Sequence, residues 1–222
     1  MDRKAGAASP DPLAAVEALL AKADGQDGAG RRRSLEQALL ALSRAAFPAA
    51  PEAREASARA DAYRAEILRR LGRRTEAAAA YGRVVETVID NAEAVHRGIS
   101  DLLDSICGYD EALRLLALAE ARHPGRAWQW TPLREEAEKR RRLEAEAPVD
   151  AAGLESLRAE VARRLSKAPC AHDDDRRPVT AEAARGLGLS PERVLPWFSD
   201  LGACCCDCQV ARVRGPWESR RG

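Results

Sequence analysis

Residues 72–124 read GRRTEAAAAYGRVVETVIDNAEAVHRGISDLLDSICGYDEALRLLALAEARHP. In this stretch Ala77, Tyr81, Val84, Val85 and Val88 return at three- and four-residue spacing, as do Ala112, Leu113, Leu116 and Ala119. That period belongs to a helix with one apolar face, because residues so spaced share a side of a 3.6-residue turn. Gly72 closes one helix, Gly108 breaks another, and Pro124-Gly125 stops a third. The stretch therefore predicts short helices joined by tight turns. The dipeptides Glu76-Ala77 and Glu111-Ala112 begin corresponding helices 35 residues apart.

The same reading extends upstream. Leu13, Val16, Leu19 and Leu20 form an apolar face that runs to Ala23. Residues 24–30 have loop composition. Ser34 is placed as the N-cap of a second helix, with Gln37 as its capping-box partner. A third helix is expected from about Pro51 to Leu71, a fourth after Thr75, and a fifth from about Asn91 to Ile106. Residues 128–147 carry Glu135, Glu136, Glu138, Lys139, Arg140, Arg141 and Arg142 on an exposed face and read as a closing helix.

Composition agrees. The 222 residues contain 4% aromatics and 32% charged residues, and 36 basic groups nearly cancel 35 acidic ones, for a net charge of +1. Sheets favour β-branched and aromatic residues, so this alanine- and leucine-rich chain favours helices. So balanced a charge gives no reason to expect nucleic acid or an anionic membrane as partner. Only Lys4, Lys22, Lys139 and Lys167 are lysines among the basic residues, an arginine bias suggestive of a GC-rich bacterial genome. No window has the ~18 uncharged apolar residues of a membrane span. No apolar segment follows Met1-Asp2-Arg3-Lys4, so a cytoplasmic protein without a signal peptide is expected.

The repeated pattern resembles the tetratricopeptide repeat, a helix–turn–helix unit of about 34 residues. Gly108, Ala112, Leu116, Ala119 and Pro124 fall where that family places its glycine, small, large, small and proline residues. Ile99, Ser100 and Leu103 fall in the preceding helix. The first unit departs with Val84 for alanine and Ile89 for proline. Residues 11–50 read as a third, degenerate unit. The resemblance implies antiparallel helical hairpins stacked over residues 11–147, with a protein or peptide partner on their concave face. Arg64, Arg97 and Arg114 are candidate contacts for an acidic partner.

Chemistry concentrates near the C-terminus. Residues 148–153 read as a linker, residues 154–214 as a small Cys/His module, and residues 215–222 as a flexible tail. Leu154, Leu157, Val161 and Leu165 share a helix face, and Pro169-Cys170-Ala171-His172 follows. One helix is expected near Thr180. Another is expected after Ser190-Pro191-Glu192, carrying Val194, Leu195, Trp197, Phe198 and Leu201. Cys204, Cys205, Cys206 and Cys208 come next, and residues 209–213 read as a short β element.

Residues 152–214 resemble a bacterial family known as domain of unknown function 2695. The resemblance rests on Cys170-Ala171-His172, Thr180, Leu201-Gly202 and Cys206-Asp207-Cys208-Gln209-Val210. The family pattern has aspartate where Ala171 stands, glutamate where Gln209 stands, and glycine where Cys204 and Cys205 stand. No activity is implied by it.

Three thiolates and an imidazole suit tetrahedral zinc in a structural site, with Cys170, His172, Cys206 and Cys208 as ligands. Asp207 or the run Asp173–Asp175 would hold the His172 ring. By analogy with zinc fingers the metal would add ~10–16 kcal/mol of apparent folding free energy. Two other readings stand beside it: buried core and turn residues, or a cysteine made reactive by its setting. Trp128, Trp130, His96 and His123 read as packing residues. The expected function is an interaction scaffold with a zinc-stabilised module. A thiol-dependent enzyme or redox sensor is the first alternative. The second is a nucleic-acid-associated regulator using Arg212, Arg214, Arg220 and Arg221.

Overall fold

The structure, a computed structural model, describes residues 13–45, 51–167, 170, 177–203 and 206–219, with the side chains of residues 51–53 excepted. The described chain is mainly α, as its composition and periodicity require, and no strand occurs among the described residues. It divides into two compact units, residues 1–131 and 132–222.

The first unit contains α1 (Ala14–Asp24), α2 (Gly28–Arg44), α3 (Pro51–Arg70), α4 (Arg74–Thr87), α5 (Ala92–Asp101) and α6 (Tyr109–Arg122). α1 packs on α2, α2 on α3, α3 along α4, and α4 against both α5 and α6. Most of the helix-face residues read from the sequence are buried, Val88 being an exposed exception; Leu13, Val16, Leu35, Ala38, Leu42 and Ile67 form one core cluster. Ala77, Val85, Ile99, Ala112, Leu116 and Ala119 are buried farther along.

Three local departures have physical causes. α2 begins at Gly28 behind Asp27, not at Ser34. The helix extends back into the glycine-rich stretch expected as loop, with Asp27 at the N-cap position although its side chain makes no capping bond. Ser34 is buried inside α2 and its hydroxyl donates to Gln26 Oε1 at 2.7 Å. After α5 the chain widens into a π-helical turn, Leu102–Ile106, and the residue that reverses it is Cys107, at φ 55° in the left-handed region. Gly108 serves a different need. A Cβ there would lie 2.7 Å from Ala78 Cβ and 2.9 Å from Leu102 Cδ1, so only a bare backbone fits.

Gly98 is a second such approach, since a Cβ there would meet Val85 Cγ2 at 2.7 Å. Val85 is buried and β-branched, so its methyl groups have little freedom to yield. Gly98→Ala gains helix propensity but overpacks this contact. A net loss of about 1–2 kcal/mol is expected, measurable as a lower urea midpoint for the first unit.

After a 3₁₀ turn, Pro124–Arg126, comes α7 (Ala127–Ala145), and the division between the units falls at Pro132 within it. The second unit continues with α8 (Ala151–Leu165), α9 (Pro178–Gly186), α10 (Pro191–Asp200) and the one-turn α11 (Asp207–Val210). α8 packs on α9, α9 on α10, and α11 on both α8 and α9. Leu143, Leu154, Leu157, Val161, Ala183, Val194, Phe198 and Val210 form its core. Trp197 donates its Nε1–H to the Leu143 carbonyl at 2.8 Å and stacks on Trp217.

Residues 148–153 are more ordered than a linker. Ala147 and Val149 pack on this core, and Asp150 caps α8 by accepting the Gly153 N–H at 2.7 Å. Residues 209–213, expected as a strand, instead finish α11 and turn, with Val213 N donating to Gln209 O at 2.9 Å. A lone extended segment has no ladder partner here, whereas a helical turn buries Val210 completely and satisfies its own backbone.

Residues 215–219 also fold back. Arg158 on α8 donates to the Val213 carbonyl and to both Glu218 carboxylate oxygens, at 2.8–2.9 Å. Burial pushes the Glu218 carboxyl up, but Arg158 and the Gly215 N–H outweigh it and hold the group below its usual range. The ionised form is thus the one favoured by folding. Its stabilisation is complete above the unfolded carboxylate value and is lost as pH falls through the lower folded value. Glu218→Gln removes that dependence. Urea midpoints of the second unit between about pH 5 and pH 3 are expected to fall less steeply in the variant than in the wild type.

Candidate metal centre

The site is assembled at the first turn of α9. Pro178 is its N1 residue, where the missing N–H costs nothing. The N-cap position belongs to Arg177, in the left-handed region at φ 45°, and its side chain does not cap the helix. Asp207 does so from 27 residues downstream. Its Oδ1 accepts the Thr180 N–H at 2.7 Å and the Thr180 hydroxyl at 2.5 Å, and its Oδ2 accepts the Val179 N–H at 3.3 Å. The carboxylate is 4% exposed. It thus meets the orphan donors and the positive end of the helix together.

Arg177 holds the other end of the same loop. Its guanidinium, on a residue 5% exposed, donates to the Ala203 carbonyl at 2.6 Å and to Ser199 Oγ at 2.7 Å. The stretch from Ala203 to Asp207 is therefore fastened at both ends to the start of α9. Replacing Asp207 by Ala leaves buried donors on Val179 and Thr180 without an acceptor. Asp207→Ala is expected to cost the second unit about 1.5–3 kcal/mol, read from Trp fluorescence during urea unfolding.

Cysteines flank the capping carboxylate. Cys206 is the extended N-cap residue of α11 and is buried; Cys208, in α11, is half-buried. Cys170, half-buried, belongs to the segment that runs into α9. The Sγ atoms of Cys170, Cys206 and Cys208 all lie within 4.8 Å of one another, and those of Cys206 and Cys208 are 2.7 Å apart. These three residues could hold a metal ion. Two sulfurs at 2.3 Å from a tetrahedral zinc stand about 3.8 Å apart, so the Cys206 and Cys208 sulfurs, at 2.7 Å, would have to open by about 1 Å to share one.

The electrostatics of the cluster fit the same chemistry. Hydrogen bonding to Cys206, partial burial and the negative charge that Cys206 and Cys170 carry when ionised push the Cys208 thiol up to about 11. Three thiolates at this spacing repel unless a cation sits among them. A bound divalent ion inverts the balance, because a coordinated thiol loses its proton outright.

Three of the four expected ligands are thus brought together. His172, Cys204, Cys205 and the run 173–175 lie outside the described residues. The role offered to Asp207, steadying the His172 ring, falls on a residue outside the described ones; among the described residues its carboxylate accepts from Val179 and Thr180. Reading along the chain also missed Arg177 as a buried fastening. Its signal was the sequence Arg177-Pro178-Val179-Thr180, a helix start without a local capping side chain.

Residues proposed elsewhere are also placed. Trp130 is fully buried with His96 and His123 on either side, ring centroids 6.2 and 6.3 Å away, while Trp128 is 72% exposed. Arg64 pairs with Asp61, and Arg114 with Glu111 and Glu86, so both cations are already matched. In the tail, Arg214 donates to the Ser219 carbonyl. No helix among the described residues is long and apolar enough to cross a membrane. No family model, curated protein or solved structure matches the chain.

Proposed function

We propose that the protein is a helical interaction scaffold whose C-terminal unit carries a structural zinc ion. The convergence of the Cys170, Cys206 and Cys208 sulfurs is the observation that carries the metal reading. Sulfur ligands in a tetrahedral arrangement select zinc among the common divalent ions. His172, two residues beyond Cys170, is the fourth ligand of this reading. The tetratricopeptide-like pattern of residues 72–124 and the packed hairpins of the first unit support a protein or peptide partner. The upward displacement of Cys208 speaks against that thiol as a reactive one, since reactivity needs a lowered pKa.

The zinc of this reading pins a loop rather than folding a domain. Classical zinc fingers lack a core and unfold without metal. Here Leu154, Leu157, Val161, Val194, Trp197 and Phe198 already pack into one.

Freshly purified protein is expected to contain about one zinc per chain by elemental analysis. Cys206→Ser and Cys170→Ser should lose it while keeping most of their helical circular dichroism. Metal-free wild-type protein with all thiols open to titration would sink the zinc reading.

A further inference from the structure

We propose that Asp207 and Arg177 are positioning residues of the thiol cluster, fastening its two ligand-bearing segments together before any metal arrives. This inference rests on the metal reading above and adds what makes the site a site. Two stretches of chain must meet: one ends at Cys170 and leads into α9, the other carries Cys206 and Cys208 and opens α11. Each is short, and neither has a core of its own at the cysteines.

The fastening is made by two buried charges acting in opposite directions along the chain. Arg177, just ahead of α9, reaches to Ala203 and Ser199. Asp207, between the two cysteines of the Cys-x-Cys, reaches back to Val179 and Thr180. Asp207 cannot move without carrying Cys206 and Cys208, its immediate neighbours, along with it. Arg177, just ahead of the α9 first turn, follows Cys170 by seven residues in the chain. The cap of a helix and the spacing of a ligand set are therefore one piece of structure. A metal binding here meets ligands already oriented and spends little of its affinity on ordering them.

The probe is Co²⁺ titrated into the full-length, metal-freed, reduced protein, with affinity set by competition against a chelator. Asp207→Asn keeps the shape but lacks a second acceptor oxygen; Thr180→Val removes only the hydroxyl bond and covers the case in which Asp207→Asn does not fold. Glu218→Gln serves as the control, since it weakens the same unit through Arg158 while leaving the bonds of Asp207 to α9 in place. Under the proposal, Asp207→Asn and Thr180→Val still take one Co²⁺ with wild-type helicity, and their affinity falls about 10–100-fold. The control stays at the wild-type affinity.

Wild-type affinity in Thr180→Val and in folded Asp207→Asn overturns the proposal while leaving the metal reading intact. An equal loss in Glu218→Gln also overturns it, because the effect is then general instability. Wild-type protein that takes no Co²⁺ overturns the metal reading itself, and the proposal with it.

Discussion

The carboxylate of Asp207 at the first turn of α9 is the contact on which the C-terminal unit is organised. Burying a carboxylate is costly unless every lone pair that faces the interior finds a donor. Here two backbone N–H groups and one hydroxyl supply them, at the positive end of a helix that has no cap of its own. Arg177 is buried less fully matched: two of its guanidinium nitrogens find a carbonyl and a serine oxygen, while its Nε has no partner among the described residues. Neither charge is exchangeable for an apolar residue without orphaning the backbone groups it serves. The two fix where the chain after α10 must run, and hence where its cysteines lie.

Stability and site geometry have separate sources in this unit. Apolar burial of Leu154, Leu157, Val161, Trp197 and Phe198 holds the helices together. It gives little direction to the loop from Ala203 to Cys208, which among its described residues contributes only Ala203 to that core. Polar bonds supply the direction that burial lacks. Among its described residues the first unit buries no charged side chain. Its tightest approaches are at Gly98 and Gly108, where omission of a side chain lets helices and turns close on Val85, Ala78 and Leu102.

Helix identity was legible in the sequence because it is a local, periodic property. Leu35, Ala38 and Leu42, or Leu154, Leu157 and Val161, announce a buried face without knowledge of what covers it. Residue type pointed to a cluster of cysteines near the C-terminus, but choosing Cys206 and Cys208 over Cys204 and Cys205 as the partners of Cys170 needed the family resemblance as well. What stayed hidden was nonlocal or marginal. The cap from Asp207 to Thr180 spans 27 residues and no pattern along the chain marks it. The start of α2 at Gly28 is marked by no capping side-chain bond, and the Ser34 hydroxyl that suggested a later start bonds Gln26 instead. Residues 209–213 are rich in valine, but β propensity expresses itself only against a neighbouring strand, and none is present among the described residues. Cys107 takes a left-handed conformation beside a glycine that the rule of thumb would have chosen, because Gly108 is needed for its missing Cβ.

The pattern of charge bears on how a scaffold of this composition would find a partner. Arginines and carboxylates are paired largely within helices, three or four residues apart, as in Arg69 with Glu66, Arg140 with Glu136 and Arg163 with Glu160. Others pair across neighbouring helices, as in Arg83 with Asp61 and Arg114 with Glu86. Such pairs add little stability each, but they cancel the field at distances beyond a Debye length. With a net charge of +1 there is no long-range attraction to steer a strongly charged ligand. Under the scaffold reading, recognition then depends on short-range fit and apolar contact. That favours a helix or loop of another protein over an acidic tail, and it requires the arginines of Arg64 and Arg114 to keep their present partners rather than release them.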